Sequence, residues 1–456
     1  MGMKRPTEAS STGTLGHPGR PLTRSPWLAR FALAAVTVAV LAAACSNVAE
    51  PMVAPSPTLV STPVPTPTPE LVLLDDNLTN FLRVIAPSWT TDFSIHTVPY
   101  AEIKPGGPAR DGIPPIADPI FAPVADAPDY LVDAEPVIVL ELNGEQRAYP
   151  LSILIAHEVV NDVIGGEPVA VTYCPLCNTG LVFRRTVNGD VLRFGTSGLL
   201  RNSNLIMWDR TTESWWQQVT GEAIVGTMTG TRLDFIPAQF IDWAAFRDSF
   251  PEGVVLVRDP DSDRAYDLPP YGGRDASAET RPTFADGSLS PVERVVSLVV
   301  NGSSVAYPFA VLEATPIVHD TFQGQALVIF YVGGTLSPFA KRPIFSSDSL
   351  SSVLGSGDQA EVDPSTIEKR AVGSTAVFEP FADGLKLSFV DRDGVITDRE
   401  TGSTWNIFDE AVTGELEGTR LAPVLHGNHF WFAQEAFFPD TTLRILEDLE
   451  GPPTGS

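Results

Sequence analysis

"AEPVIVLELNGEQRAYP" (residues 134–150) and "VERVVSLVVNGSSVAYP" (292–308) align without a gap, sharing Glu, Val, Leu, Asn-Gly and Ala-Tyr-Pro at the same places. Each stretch carries β-forming residues up to an Asn-Gly pair and resumes them after it, the strongest short-range signature of a two-residue hairpin. The same register sets Asp162 against Asp320, Gly166 against Gly324 and Tyr173 against Tyr331. Further on, "DRTTESWW" (209–216) matches "DRETGSTW" (398–405), and "GEAIVGTMTGTRL" (221–233) matches "DEAVTGELEGTRL" (409–421). The endings agree too, Trp243 and Phe250-Pro251 corresponding to Trp431 and Phe438-Pro439. So many matches in one order predict an internal duplication.

Each copy reads mainly as strands, with a further Asn-Gly turn at 188–189 and two helical stretches, "PLSILIAHEVVND" (150–162) and "AQFIDWAAFRDSF" (238–250). The expected fold is α+β dominated by antiparallel β-sheet, with two similar packed lobes at 134–258 and 291–446 and a site favoured at their interface. The Pro- and Gly-rich stretch 100–124, within an N-terminal segment at 73–133, predicts an ordered loop wrapping the first lobe. Residues 259–290 read as an exposed connector, 346–363 as a polar insertion and 447–456 as a disordered tail.

The N-terminus sets the compartment. A leader bearing Lys4, Arg5, Arg20, Arg24 and Arg30 runs into the uncharged "FALAAVTVAVLAAAC", a layout that predicts a signal peptide at 1–45. The small residues before Cys45 resemble the lipobox of bacterial lipoproteins, with Ala42 where Leu is usual, so lipidation of Cys45, a plain signal peptide and an uncleaved anchor all remain open. The Pro/Thr-rich tether that follows at 46–72 favours lipidation, hence a membrane-tethered body on the extracytoplasmic face of the cell envelope. Formal net charge is −26, and becomes −30 once the five basic residues and one acidic residue of the leader are removed. So acidic a body argues against nucleic acid and against anionic head groups as partners.

Positions shared by the two copies are explained by a shared fold, whereas polar chemistry in one copy alone points to function. Cys174 falls opposite Val332, Cys177 opposite Thr335, and His157-Glu158 opposite Thr315-Pro316. The "GTSGLLRNSN" segment (195–204) has no counterpart. The first copy is therefore the expected site-bearing one.

Three readings of "VTYCPLCNTGLVF" (171–183) are open. As a staple, so short a disulfide loop gains only roughly 2 kcal/mol against about 4 to 5 for a long one. As a redox centre with Cys174 attacking, it lacks the helix that follows a thioredoxin-type motif, because Asn178-Thr179-Gly180 and "LVFRR" read as turn and strand. As a soft-metal site for zinc or copper, Cys174 and Cys177 supply two thiolates, with His157 and a carboxylate or His319 to complete the shell. The Gly195 and Gly198 segment offers Ser197, Arg201, Asn202 and Asn204 as groups to hold an anion or carbonyl, while Ser197 lacks the strand-to-helix elbow of a hydrolase nucleophile. The soft-metal site is the leading expectation; a thiol-disulfide oxidoreductase and a non-catalytic cell-surface binding module for a small ligand are the alternatives.

"HEVVNDVIGGEPVAVTYCPLCNTGLVF", "FGTSGLLRNSNLIMWDRTTESWWQQVTGEAIVG" and the upstream "GGPARDGIPPI" together resemble the prokaryotic family catalogued as domain of unknown function 3179, over about residues 85–440. That resemblance implies kinship across the whole body and carries no established reaction.

Overall fold

A computed structural model describes residues 84–262, 264, 266, 271, 274, 275, 288–339 and 370–449. The expected leader, Cys45, the tether, the polar insertion and most of the connector and tail lie outside the described residues. The fold is mostly β-sheet, in several antiparallel sheets with four short α-helices among the described residues.

The first half opens with β1 (Pro136–Leu142) and β2 (Glu145–Pro150), followed by α1 (Leu151–His157). Next come β3 (Val159–Ile164), β4 (Glu167–Cys174) and β5 (Thr179–Arg184), then the hairpin β6 (Phe194–Arg201) and β7 (Asn204–Asp209). Strand β8 (Gln239–Asp242) leads into α2 (Trp243–Ser249). The second half repeats the opening order with β9 (Arg294–Val300), β10 (Ser303–Pro308), α3 (Phe309–Ala314), β11 (Ile317–Phe322), β12 (Gln325–Val332) and β13 (Ser374–Glu379). It closes with β14 (Gly427–Phe430) and α4 (Trp431–Phe437).

The Asn-Gly turns form as expected. Asn143 and Gly144, Asn188 and Gly189, and Asn301 and Gly302 all take positive φ, the conformation a two-residue loop needs to match strand twist. Both expected helices are shorter than their apolar periodicity implied. In the first, Glu158 turns left-handed at φ 60° and ends α1, releasing the β-branched Val159 and Val160 into a strand. In the second, Asp242 accepts a hydrogen bond from the Ala245 amide (2.8 Å), so the helix begins at Trp243 and Gln239–Asp242 stay in a strand.

The halves do not form separate lobes. Strand β8 pairs with β1 of its own half on one side and with β13 of the second half on the other, giving one sheet in the order β11-β12-β13-β8-β1-β2 and onward to Val254–Leu256 and Phe121–Pro123. Reciprocally, β14 pairs with β9, and its Phe430 amide donates to the Cys177 carbonyl of the first half (2.9 Å). The cores are shared as well: Tyr149, Phe183 and Trp216 pack with Phe430 and Phe432, while Val137 and Phe246 pack with Phe330 and Phe378.

The stretch 100–124 carries two short strands, Ile103–Pro105 against β6 and Phe121–Pro123 against Val254–Leu256, each with proline at its end. Asp111 fastens it, accepting from the Trp208 indole (3.0 Å) and the Thr196 amide (3.1 Å). Gly195 and Gly198 serve this contact: a β-carbon on either would run into Asp111 or into the backbone at Pro108. No helix among the described residues is long and apolar enough to cross a membrane.

Candidate functional site: a buried cysteine pair

Strand β4 ends on Cys174 and β5 starts on Thr179, which face each other in register, so Cys174-Pro175-Leu176-Cys177-Asn178 make the turn between paired strands. Asn178 adopts φ 53°, and its side-chain oxygen accepts from the Tyr173 hydroxyl (2.9 Å), which fixes the turn. Strand β5, and not a helix, follows the turn directly. Both cysteines are free, and at 1% and 0% exposure neither is open to a large reactant.

The surroundings of the two sulfurs differ. Asn204, at the start of β7, has its oxygen fixed by the Val219 backbone amide (3.1 Å) and by Gln217 (2.6 Å). A backbone amide only donates, so the other end of the Asn204 amide must be its NH₂. That NH₂ donates to Cys177 Sγ at 3.2 Å and to Gln218 Oε1 at 2.8 Å. Gln218 is held in turn by Thr172 Oγ1 (3.0 Å) and the Thr179 carbonyl (3.1 Å). Burial pushes the Cys177 thiol up, but hydrogen bonds from Cys174, Thr179 and Asn204 and the charge of Arg274 outweigh it, leaving the thiol below its ordinary value. Burial, reinforced by the adjacent Cys177, holds the Cys174 thiol well above its ordinary value, and its sulfur faces the Ser203 carbonyl at 3.8 Å.

Glu158 is the group that sequence reasoning passed over in favour of its neighbour. It is a buried non-glycine residue in the left-handed region, a conformation that costs about 1 to 2 kcal/mol and persists where the surroundings impose it. Its carboxyl lies within electrostatic reach of both cysteines and is pushed up to about 8 by burial and by Cys177. Tyr271 hydrogen-bonds to it.

Tyr271 belongs to the stretch expected to be an exposed connector; Asp259, Pro260 and Asp261 are exposed there, whereas Tyr271, Arg274 and Asp275 turn inward. Arg274 donates to the Leu176 carbonyl inside the cysteine turn (2.9 Å). The buried Asp275 pairs with the buried Arg294 (3.0 Å) and accepts from Ser337 (2.6 Å). Polar composition hid these roles, because a loop of Asp, Arg, Tyr and Gly has no periodicity to mark which residues turn inward.

His157 sits apart. Its Nδ1 bonds the Pro114 carbonyl and its Nε2 the Tyr266 hydroxyl, both at 2.8 Å, so both ring nitrogens are taken. His319 bonds the backbone of Phe389 in the second half. Among the described residues no group of three or more His, Cys, Asp or Glu side chains is placed to hold a metal ion. Of the glycine-segment candidates, Ser197 receives the Leu199 amide (3.0 Å) and steadies a bulge, Arg201 pairs with Glu102 (2.7 Å), and Asn202 forms the β6–β7 turn at φ 48°. Asn204 alone joins the thiols through its side chain.

The second half contributes His429, whose Nδ1 lies 2.9 Å from Thr179 Oγ1, next to Cys177. Burial and His426 hold its imidazole down at about 3, so it is neutral. Two clefts also mark the body, one of about 790 Å³ beside Phe389 and Arg399 and one of about 440 Å³ between Phe235 and Phe408. Neither is lined by a cysteine.

Over residues 110–441 the chain matches the family described as "Protein of unknown function (DUF3179)", and it belongs to that family. No curated protein and no solved structure matches it.

Proposed function

We propose that this member of the DUF3179 family is an extracytoplasmic thiol–disulfide oxidoreductase, tethered through Cys45 and working through Cys174 and Cys177. The observation that carries this reading is the Asn204 amide, locked by a backbone donor so that it can only donate to Cys177 Sγ. A donor fixed on sulfur favours thiolate over thiol, and the thiolate is the nucleophile in disulfide exchange. Cys177 is therefore the attacking sulfur, in place of the Cys174 that spacing suggested, and Cys174 closes the disulfide. Glu158, buried beside both, is the carboxyl that takes up and returns the proton.

A zinc or copper site would need His157 Nε2 to give up Tyr266, and no group of three ligating side chains is assembled among the described residues, which is why the redox reading is preferred. Equilibrating the full chain in thiol–disulfide buffers and weighing the peptide that holds both cysteines tests it. The expected result is a reversible two-electron couple between about −300 and −120 mV, the span of working dithiols. A disulfide that never forms, or one inert below about −300 mV, contradicts the proposal. Stoichiometric zinc or copper that disappears in the double Cys→Ser variant would restore the metal reading.

A further inference from the structure

Building on the redox reading, we propose that the oxidant this pair reduces is a small uncharged hydroperoxide, with Cys177 as the attacking sulfur and Cys174 as the one that resolves the product.

Size comes first. Both sulfurs belong to residues no more than 1% exposed, with Tyr271 at Glu158 and Arg274 on the Leu176 carbonyl. A disulfide-bearing peptide would have to displace these contacts, because in-line attack on a disulfide needs room for both of its arms. Hydrogen peroxide has only two heavy atoms and needs about the space of two ordered waters. Neither of the two clefts described above is lined by a cysteine.

Chemistry selects the same class. Cleaving an O–O bond requires hydrogen-bond donors for the departing oxygen close to the attacking sulfur. The Asn204 NH₂ is 3.2 Å from Cys177 Sγ, Arg274 brings positive charge to the same sulfur, and the Thr179 hydroxyl, which donates to the Cys177 carbonyl at 3.3 Å, stands beside it and helps hold its thiol down. His429 bonds Thr179 Oγ1, so when its Nδ1 carries the proton the Thr179 hydroxyl keeps its own for the cysteine turn. Cys174 is within hydrogen-bond reach of Cys177, close enough to trap what forms.

The steps balance. Cys177 sulfur attacks one peroxide oxygen and the O–O bond breaks; sulfur gains oxygen as a sulfenic acid, and the thiol's own proton leaves with hydroxide as water. Cys174 sulfur then attacks Cys177 sulfur, the S–O bond breaks, and the Cys174 proton leaves with the hydroxyl as a second water. Two thiols have lost two electrons and two protons, and one peroxide has become two waters. A small dithiol such as dithiothreitol, which needs to bring in only a single sulfur, returns the electrons by exchange.

The test treats the full chain with hydrogen peroxide and follows the cysteine peptide by mass, with dimedone to trap sulfenic acid. Expected are oxidation of Cys177 about 100-fold faster in the folded chain than in urea, and a fall of about 100-fold on Asn204→Leu, the size of loss seen when one fixed donor is removed. The adduct should appear on Cys177 in Cys174→Ser, with no equally fast adduct on Cys174 in Cys177→Ser. Thr179→Val, a change that keeps side-chain volume, provides a second variant should Asn204→Leu fail to fold. A folded rate no faster than the unfolded one, or an adduct that favours Cys174, overturns the proposal. If the pair still cycles in thiol–disulfide buffers, only the peroxide substrate falls; if no disulfide forms with either oxidant, the redox reading falls with it.

Discussion

Residues 134–258 and 291–446 solve the same packing problem, and the places where they diverge locate the chemistry. Both hold a Tyr–Asp pair, Tyr149 to Asp162 at 2.6 Å and Tyr307 to Asp320 at 2.7 Å, each with an arginine on the carboxylate. The arginines come from different places, Arg147 from β2 and Arg444 from beyond α4. Both close a tight turn on an aspartate, Asp209 receiving the Thr212 amide and the Trp216 indole, Asp398 the Thr401 amide and the Trp405 indole. At the cysteine turn they part. Opposite Cys177 stands Thr335, hydrogen-bonded to Ser374 and to Asp242, and opposite the left-handed Glu158 stands Pro316, whose ring forbids positive φ. One half holds a turn with hydroxyls that satisfy each other; the other spends backbone strain to set a carboxyl beside two thiols.

Replacing Cys177 by Ser should abolish the two-electron couple, whereas Thr335→Val in the second half should leave it untouched, as redox-buffer titration will show. An effect of Thr335→Val on the couple would mean the second half takes part in the chemistry. Next in size, Asp209→Asn and Asp398→Asn should each cost about 2 to 3 kcal/mol, since each carboxylate accepts several hydrogen bonds in place of solvent. Unequal losses in denaturant melts would show that the two turns are not equivalent supports.

A pH effect separates the halves further. Glu158 holds its proton in the folded chain up to about 8, while the unfolded carboxyl releases it at its ordinary value of 4.5. Between these the unfolded chain binds fewer protons, so stability falls as pH rises through that window and levels off above it. Glu158→Gln should flatten that part of the profile in thermal melts, and no change at Pro316 can imitate it. The smallest expected effect is at His157, where Asn should cost about 1 kcal/mol for lost hydrogen bonds and leave the couple unchanged. Loss of the couple in His157→Asn would return that residue to the site.

All three Asn-Gly turns were legible, since hairpin chemistry is local and Asn-Gly encodes positive φ at the turn itself. Comparing the copies also singled out the cysteines and, through "GTSGLLRNSN", Asn204. What stayed hidden depends on contacts distant in sequence. The bridging of the halves by β8 and β14, each paired in its own half and bonded to the other, leaves no mark on either strand's pattern, because an edge seeking a partner reads the same whichever partner it meets. His429 lies 250 residues from its partner Thr179. His157 outranked Glu158 because imidazole is the commoner ligand. Only the left-handed end of α1 shows that the chain reverses there, sending the carboxyl toward the thiols and leaving the imidazole between Pro114 and Tyr266.

Titrating the thiolate absorbance of folded Cys174→Ser against the same chain unfolded in urea asks most directly whether the first half holds an activated sulfur. The account predicts that Cys177 ionises below the ordinary thiol value of about 8.5 when folded and returns to it when unfolded. A folded value at or above the unfolded one would contradict it, since burial would then outweigh the donors gathered around Cys177.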